Sequence, residues 1–596
     1  MAISLAIFHM SGIFSQIQAI FWVVFFFGGS IFIHELGHFL AAKWRKLYVP
    51  RFSIGFGPRL FSKKIGQTEF CISLLPLGGY VALPQLMEAK EIEGQYNIPK
   101  NCHPITTSDK IITASMGAIF NLIFAFTLAC ILGHIGIERD YSATNNYIGY
   151  IAPEIELSDG TKLTSPAAEA GLKIGDQVVA IDGHKVDNFS DIVHAIALGT
   201  NRDSRGPVSS FSIVRDSQIF SITVHPALIE QNKRTHEKLR VVGLTTKQRL
   251  KIDKIYKNSP ASRTPLSIND RLLKINGTEI ASYHQLINLL QDCPKITALF
   301  ERDGTAFEQN LECHMVPFFA PYIQIETQYG TLELCNDKLQ ILSADFLKNC
   351  RDCAPGQFIN HIKIDGKEIQ AKDLENYYQK LREATNRPIT LEIAGKIYSI
   401  IPTKVEWKAS ENFPSLGIQF GEEHVIIHES PWSQIVNNFR ITVQTLSSLI
   451  APSSDVFVKN LMGPAGIIDT LHTFATYSFR LLLWLVILLN VNLAIFNLLP
   501  LPVLDGGIIF LAILEKTWHR KIALKVITSV QLAFVVLFLG LIAYISFFDI
   551  NRILAGHDQN TAIQRQNLLY VSESSYWNNL MPVGAEPASA NEYRSK

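Results

Sequence analysis

His34 and His38, four residues apart with Glu35 beside the first, hold the most chemistry per residue in this 596-residue chain. On a helix, His34-Glu35-Leu36-Gly37-His38 sets two imidazoles on one face with a carboxylate next to them. That is the arrangement of two zinc ligands and a general base. In a soluble helix the match would be a moderate hint, often met by chance. Here it follows an apolar run with no Asp, Glu, Lys or Arg from Met1 to Ile33. Ionisable groups at bilayer depth are costly and are seldom kept without a task. The bland alternative is a polar helix end among lipid headgroups.

A catalytic zinc site takes three protein ligands and leaves one position for water. The third ligand must reach the depth of the other two. His34 and His38 precede Lys43, the first basic residue after the motif, by nine and five positions. At 1.5 Å per residue that is roughly 7–14 Å below the membrane boundary. Asp505 is the candidate. It stands in Asn497-Leu-Leu-Pro500-Leu-Pro502-Val-Leu504-Asp505-Gly506-Gly507, at the end of a later apolar run and ten residues before Glu515. Prolines and glycines break the helix there, and broken backbone at bilayer depth is tolerated only against protein or a wet cavity. The alternative is that Asp505 caps its span at the interface. Zinc would bring the pKa of bound water towards 7, supplying hydroxide. Glu35 would take that water's proton and pass it to the leaving amine.

These residues need a membrane scaffold. Hydrophobic residues make up 47% of the chain and charged residues 18%, which points to a membrane protein with soluble parts. The length calls for several domains. A net charge of +1 gives no reason to expect nucleic acid. Four stretches can span a bilayer: about Ile20 to Ala42, Ile111 to Ile137 (broken only by His134), Leu481 to Leu504, and about Val526 to Phe547. The first lacks a basic leader region and outruns a signal peptide's apolar core, so it reads as an anchor. Lys43, Arg45, Lys46, Arg51, Arg59, Lys63 and Lys64 follow the first span; Lys516, Arg520, Lys521 and Lys525 separate the third from the fourth. Both loops are therefore expected in the cytoplasm, with both termini and the long middle region outside.

Between the first two spans, Arg51-Phe-Ser-Ile, Arg59-Leu-Phe-Ser and Thr68-Glu-Phe-Cys-Ile-Ser read as short β segments punctuated by Gly55, Gly57, Gly66 and Gly78-Gly79. A helical substrate hides its peptide bonds and must unwind before attack. An exposed strand edge here could take the unwound chain as another strand. An ordinary cytoplasmic loop is the other reading.

The paired motifs, His34-Glu-x-x-His38 and Asn497-x-x-Pro-x-Pro-x-Leu-Asp505-Gly, resemble those of the site-2 protease family of intramembrane zinc metalloproteases, close to its bacterial RseP type with PDZ domains. Arg51-Phe-Ser-Ile-Gly55-Phe-Gly57-Pro58 and Pro76-Leu-Gly78-Gly79-Tyr80-Val81 match the family's early segment. Gly117-Ala-Ile-Phe-Asn121 is similar to its Gly-Pro-x-x-Asn, with Ala118 where Pro is usual; Ile508 stands where His is frequent. The resemblance implies a zinc cofactor and a membrane-associated β-hairpin near the active site. It also implies substrate binding near Asn497 and around Gly55, Gly57, Gly78 and Gly79. For Asn497, capping of the broken helix is an equal alternative.

In the outer region, Ser165-Pro-Ala-Ala-Glu-Ala-Gly171-Leu-Lys-Ile-Gly175-Asp176 through Asp182-Gly183 looks like a bacterial, circularly permuted PDZ domain. Ser259-Pro-Ala-Ser and Ile268-Asn-Asp270 through Asn276-Gly277 form a second copy. Phe358-Ile-Asn-His-Ile-Lys-Ile-Asp365-Gly366 is a degenerate third echo, without the Gly-Asp start. Such modules take extended peptides by strand addition, act as spacers, or filter substrates by size. Phe439, Val443, Leu446 and Ile450 recur at helical spacing, and Pro452 ends that run. Cys293, Cys313, Cys335, Cys350 and Cys353 lie outside, where disulfides are permitted; the odd count leaves at least one thiol unpaired within the chain.

The expected fold is a multi-pass α-helical membrane protein of four transmembrane helices, a membrane-associated β-hairpin region and tandem α+β PDZ-like domains. The expected boundaries are 1–45 for the first span, 46–110 for the β loop and 111–137 for the second span. PDZ-like modules follow at 138–245, 246–317 and 318–425, then an amphipathic helical region at 426–475. The third span occupies 476–510, the basic loop and fourth span 511–555, and a disordered tail 556–596. The expected activity is cleavage of single-span transmembrane proteins or peptides within a bacterial inner membrane. The substrates would be anti-sigma-type regulators or remnant signal peptides, with PDZ-bound peptides and membrane lipid as further partners. A non-catalytic PDZ scaffold and a channel or transporter are the rival readings.

Overall fold

The structure is a computed structural model describing residues 2–86, 102, 104–157, 161–232, 235–291, 295–317, 322–327, 330–335, 339–344, 357–369, 374–393, 395–408, 412–519 and 523–569. Four helices among them are long and apolar enough to cross a membrane: Ile17–Trp44, Thr107–Ile135, Phe479–Asn497 and Lys525–Leu554. The first three share a core in which Phe26, Leu128, Leu132, Leu482, Leu485 and Val491 meet. The first two approach very closely, since a Cβ on Gly37 would lie 2.4 Å from the Met116 carbonyl oxygen. The end of the first and the start of the second are tied by Asp109. Its carboxylate accepts from Thr106 N–H at 2.8 Å and from Arg45 Nε at 2.6 Å, closing a capping box at the head of the second span.

The third span ends at Asn497, seven residues before the expected Leu504. Pro500 and Pro502 cannot continue a helix, because each lacks an N–H and crowds the preceding turn. Residues 498–504 form turns, and a new helix, Asp505–Trp518, begins at the acid itself. Asp505 therefore heads its own helix and is not the last residue of a span. The fourth span belongs to a helix that runs from Leu524 to Leu569, so the helix passes Ala555, where the composition suggested an unstructured tail. Residues 570–596 lie outside the described residues.

Arg51–Ile65 and Thr68–Val81 form one antiparallel hairpin, longer than the short segments expected, because its glycines bend the strands without ending them. Residues 51–54 pair with 69–72 on one side and with 79–81 on the other, while 59–65 pair with 68–73. Residues 79–81 thus form an edge segment of this sheet.

The region between the second and third spans holds three α/β modules, each with its own core. Each repeats one plan: a strand, a tight turn, a short return strand, a helix and a hairpin. In the first, Gln177–Ile181, His184–Lys185, helix Phe189–Ala197 and the hairpin Ser209–Arg215 with Gln218–Val224 fill these places. In the second they are Arg271–Ile275, Thr278–Glu279, Tyr283–Gln291, and Lys295–Arg302 with Thr305–Glu312. In the third they are Ile359–Ile364, Lys367–Glu368, Leu374–Glu383, and Ile389–Ile393 with Lys396–Ile400. The first turn is Asp182-Gly183, Asn276-Gly277 or Asp365-Gly366, with φ near +50° at the first residue and near +80° at the glycine each time. Two positive φ values in a two-residue loop make the hairpin turn that suits strand twist, and Asp-Gly or Asn-Gly is the pair that adopts it most readily.

The second and third modules are not consecutive, as the boundaries at 317 and 425 required. His314–Pro317 pairs with Asn412–Ser415, and Ile418–Glu422 pairs with Leu250–Ile255. The second module closes only after the third has been completed, so the third is an insertion within it. The local sequence pattern cannot show this, because strand partners 160 residues apart leave no periodic trace.

Ile137–Asp140 pairs with His424–Ile427, joining the exit of the second span to the return from the modules. The amphipathic helix that follows is Pro431–Ile450, within the expected stretch. Its Gln434 donates to the Ala129 carbonyl at 3.2 Å, and its Arg440 binds Asp191 of the first module at 3.1 Å. Cys313 and Cys335 are in no disulfide among the described residues, and burial pushes the Cys335 thiol up to about 11. Cys293, Cys350 and Cys353 lie outside the described residues.

Candidate metal centre

Three backbone elements converge at one point inside the helix bundle. The first span presents His34 and His38 one helical turn apart. The Asp505 helix brings its first carboxylate between them. The second span passes beneath with Gly117, where an added Cβ would lie 2.4 Å from His38 Nε2 and 2.7 Å from His34 Cε1. The imidazoles therefore rest on bare backbone, and any side chain there would occupy their place.

Asp505 Oδ2 lies 3.2 Å from His34 Nε2 and 3.2 Å from His38 Nε2, and the two Nε2 atoms are 3.2 Å apart. The three donors make a near-equilateral triangle. Ligands at about 2.05 Å in tetrahedral array around zinc stand about 3.3 Å from one another, so the triangle has the size of one tetrahedral face. Two imidazoles and one carboxylate are a zinc donor set, and all three residues line a cavity of about 170 Å³. The residues present fit the metal.

The groups behind the donors are also in place. His38 Nδ1 lies 2.8 Å from the Thr113 carbonyl oxygen, which can only accept, so Nδ1 carries the proton and Nε2 is bare. His34 Nδ1 lies 3.1 Å from the side-chain amide of Asn121. Asn497 Nδ2 lies 3.3 Å from His34 Nε2, on the metal side of the ring.

Glu35 stands outside the donor triangle and lines the same cavity, with Tyr80, Val81 and Ile508. The Val81 N–H hydrogen-bonds its carboxylate, and a Cβ on Gly79 would lie 3.3 Å from its Cγ. The edge segment 79–81 therefore runs along the Glu35 carboxylate. Of the four expected glycines, Gly79 reaches the site. Gly55, Gly57 and Gly78 do not line the cavity; Gly55 and Gly57, with φ of +85° and +87°, bend the hairpin strand instead.

Thr113, Gly117 and Asn121 escaped residue-level reasoning. Gly117 and Asn121 were visible as a family-like motif, yet nothing in it assigned them a place. The argument that singled out His34 applies to Asn121 as well: a fully buried amide in an apolar span needs a partner.

The chain matches the profile of peptidase family M50 over residues 22–541. It is 24% identical over 632 residues to a Chlamydia pneumoniae protein named as a zinc metalloprotease, covering 88% of this chain and 97% of that one. It is 25% identical over 516 residues to a Vibrio cholerae protein of the same designation, covering 84% of this chain and 91% of that one. The protease RseP of Yersinia pestis is 25% identical over 498 residues, covering 82% of this chain and 88% of its own.

Proposed function

The chain belongs to peptidase family M50, the site-2 protease family, and is a membrane zinc metalloprotease; from that premise we propose that it cuts transmembrane segments of single-span proteins, with His34, His38 and Asp505 as the zinc ligands and Glu35 as the general base. The observation that carries this reading is the 3.2 Å triangle of donors opening onto a cavity that also contains Glu35. Zinc, when bound, acidifies a water and polarises the carbonyl under attack.

The chain's own groups do the rest. Glu35 takes the proton of the attacking water and delivers it to the leaving nitrogen. Asn497 Nδ2, beside the metal-facing nitrogen of His34, is placed to donate to the substrate carbonyl as it turns tetrahedral. The edge segment at 79–81 pairs with the unwound substrate and holds the scissile bond along the cavity. The outer modules act as PDZ-like domains that take extended segments or exclude bulky ectodomains. Their common plan and repeated Asx-Gly turns support this. The basic residues flanking the site side favour a bacterial inner membrane orientation with the modules outside. Trimmed anti-sigma-type regulators and remnant signal peptides are substrates of the right form.

The test uses the full chain in detergent, with zinc measured directly and a single-span protein as substrate. Glu35→Gln is expected to keep stoichiometric zinc and lose about 10²–10⁴-fold in rate. His34→Ala is expected to lose the metal. Equal behaviour of wild type and Glu35→Gln, with zinc in neither, would leave a PDZ scaffold as the better reading.

A further inference from the structure

The two metal-facing histidines are supported by different chemistry. Behind His38 stands a carbonyl, which allows only one tautomer. Behind His34 stands the side-chain amide of Asn121, which is 0% exposed and can either donate or accept. In the structure Asn121 Nδ2 faces His34 Nδ1 at 3.1 Å. In that orientation the amide donates to Nδ1. Asn497 Nδ2 also faces the ring, at 3.3 Å from Nε2, and a neutral imidazole cannot accept at both nitrogens, so one of the two amides must present its oxygen to His34.

A metal ligand needs a bare Nε2. The proton must then sit on Nδ1, and Nδ1 requires an acceptor. Asn121 Oδ1 is buried and has no hydrogen-bond partner among the described residues. The two ends of the amide are nearly the same size, so a half turn about the last side-chain bond exchanges them. We propose that Asn121 is the positioning residue for His34, its buried Oδ1 accepting from Nδ1–H so that the ring is held with Nε2 bare towards the metal. The inference rests on the ligand assignment proposed above.

Two substitutions separate hydrogen bonding from packing. Asn121→Asp replaces the amide by a carboxylate that can only accept, which holds His34 in the metal-ready tautomer. Asn121→Leu has similar volume and neither accepts nor donates. Zinc affinity of the purified full chain is measured by chelator competition, and cobalt substitution reports whether the site is tetrahedral. Asn121→Asp is expected to bind zinc at least as tightly as wild type. Asn121→Leu is expected to lose about 10–100-fold, the usual cost of removing a group that orients a ligand. Wild-type affinity in Asn121→Leu overturns the inference while leaving the ligand set intact. So does a loss in Asn121→Asp as large as in Asn121→Leu, since packing alone would then explain both. Should Asn121→Leu fail to fold, Asn121→Asp decides alone, because weakened binding there contradicts the tautomer argument. A wild-type chain that binds no zinc fails the ligand assignment itself, and this inference with it.

Discussion

Gly117 shows how much of the site rests on an atom that is missing. The imidazoles of His34 and His38 lie where its side chain would be, and the nearest contact of an added Cβ would be 2.4 Å. Alanine is the strongest helix former, so Gly117→Ala leaves the second span helical. Its methyl must displace the rings, and zinc affinity is expected to fall more than tenfold in chelator competition while the protein stays monodisperse. Gly79 has a different role. Its Cβ would meet the Ser53 carbonyl at 2.8 Å and Glu35 Cγ at 3.3 Å, away from the donor triangle. Gly79→Ala is expected to keep its zinc and lose about 10²-fold in peptide cleavage, because edge and carboxylate are displaced together. Zinc loss in that variant would contradict the placement. At this scale His34, Glu35, His38 and Asp505 were legible because each is a polar group in an apolar setting. Gly117 was not, since what a glycine leaves open is defined by whatever packs against it.

Elements were legible where one physical requirement governs their whole length. A span must be apolar throughout, so four spans were found, and Pro500 and Pro502 marked where the third fails. The modules were legible through their Asx-Gly turns, where two positive φ values admit few residue types. A second repeated device is an ion pair closing each sheet. Arg215 binds Asp176 in the first module at 2.6 Å, and Arg302 binds Asp270 in the second at 2.6 and 2.7 Å. Burial alone would raise the Asp270 pKa, but the Arg302 guanidinium and the Ser267 N–H hold it below its ordinary value of 3.8. The folded module thus binds this proton less readily than the unfolded chain. Its stabilisation is complete above pH 3.8 and is lost as pH falls through the lower folded value. Arg302→Ala is expected to destabilise the second module near neutrality and to flatten this acid dependence. Hydrogen exchange on Arg271–Ile275 in the full chain at pH 6 and pH 3 measures both effects; equal protection in the two proteins would argue against it.

The whole molecule is organised by a nested order that the chain does not follow in sequence. The third module is inserted between paired strands of the second, whose ends, Pro317 and Asn412, face each other. Directly opposed strand residues lie about 5 Å apart, a gap that a two-to-four-residue turn closes. Replacing residues 318–411 by such a turn is expected to leave the second module folded and zinc binding unchanged. Protease resistance of the remaining modules and the metal content check this. Collapse of the second module would mean that its closing strands need the insertion. Below the modules, Arg440 pairs with Asp191, and Arg552 bridges Glu237 of the first module to the buried Asp549 of the fourth span. Asp549 in turn accepts from Gly463 N–H at 3.0 Å and Gly466 N–H at 2.9 Å, at the head of helix Pro464–Tyr477. The modules are therefore seated on the bundle by polar contacts, the carboxylate of Asp549 among them fully buried.

The amino-acid order by itself determined the spans, their polar exceptions, the helix break before Asp505 and the turns of the modules. Each depends on residues close together in the chain, where periodicity, proline geometry and the cost of a polar group in lipid act locally. Only the tertiary structure decided that the donors of His34, His38 and Asp505 meet within 3.2 Å. It likewise decided that Gly117 yields its space to them, that residues 79–81 form the edge beside Glu35, and that Asn121 stands behind His34. These are distances between segments as much as 470 positions apart, set by how helices approach and which surfaces they cover, and no local preference encodes them.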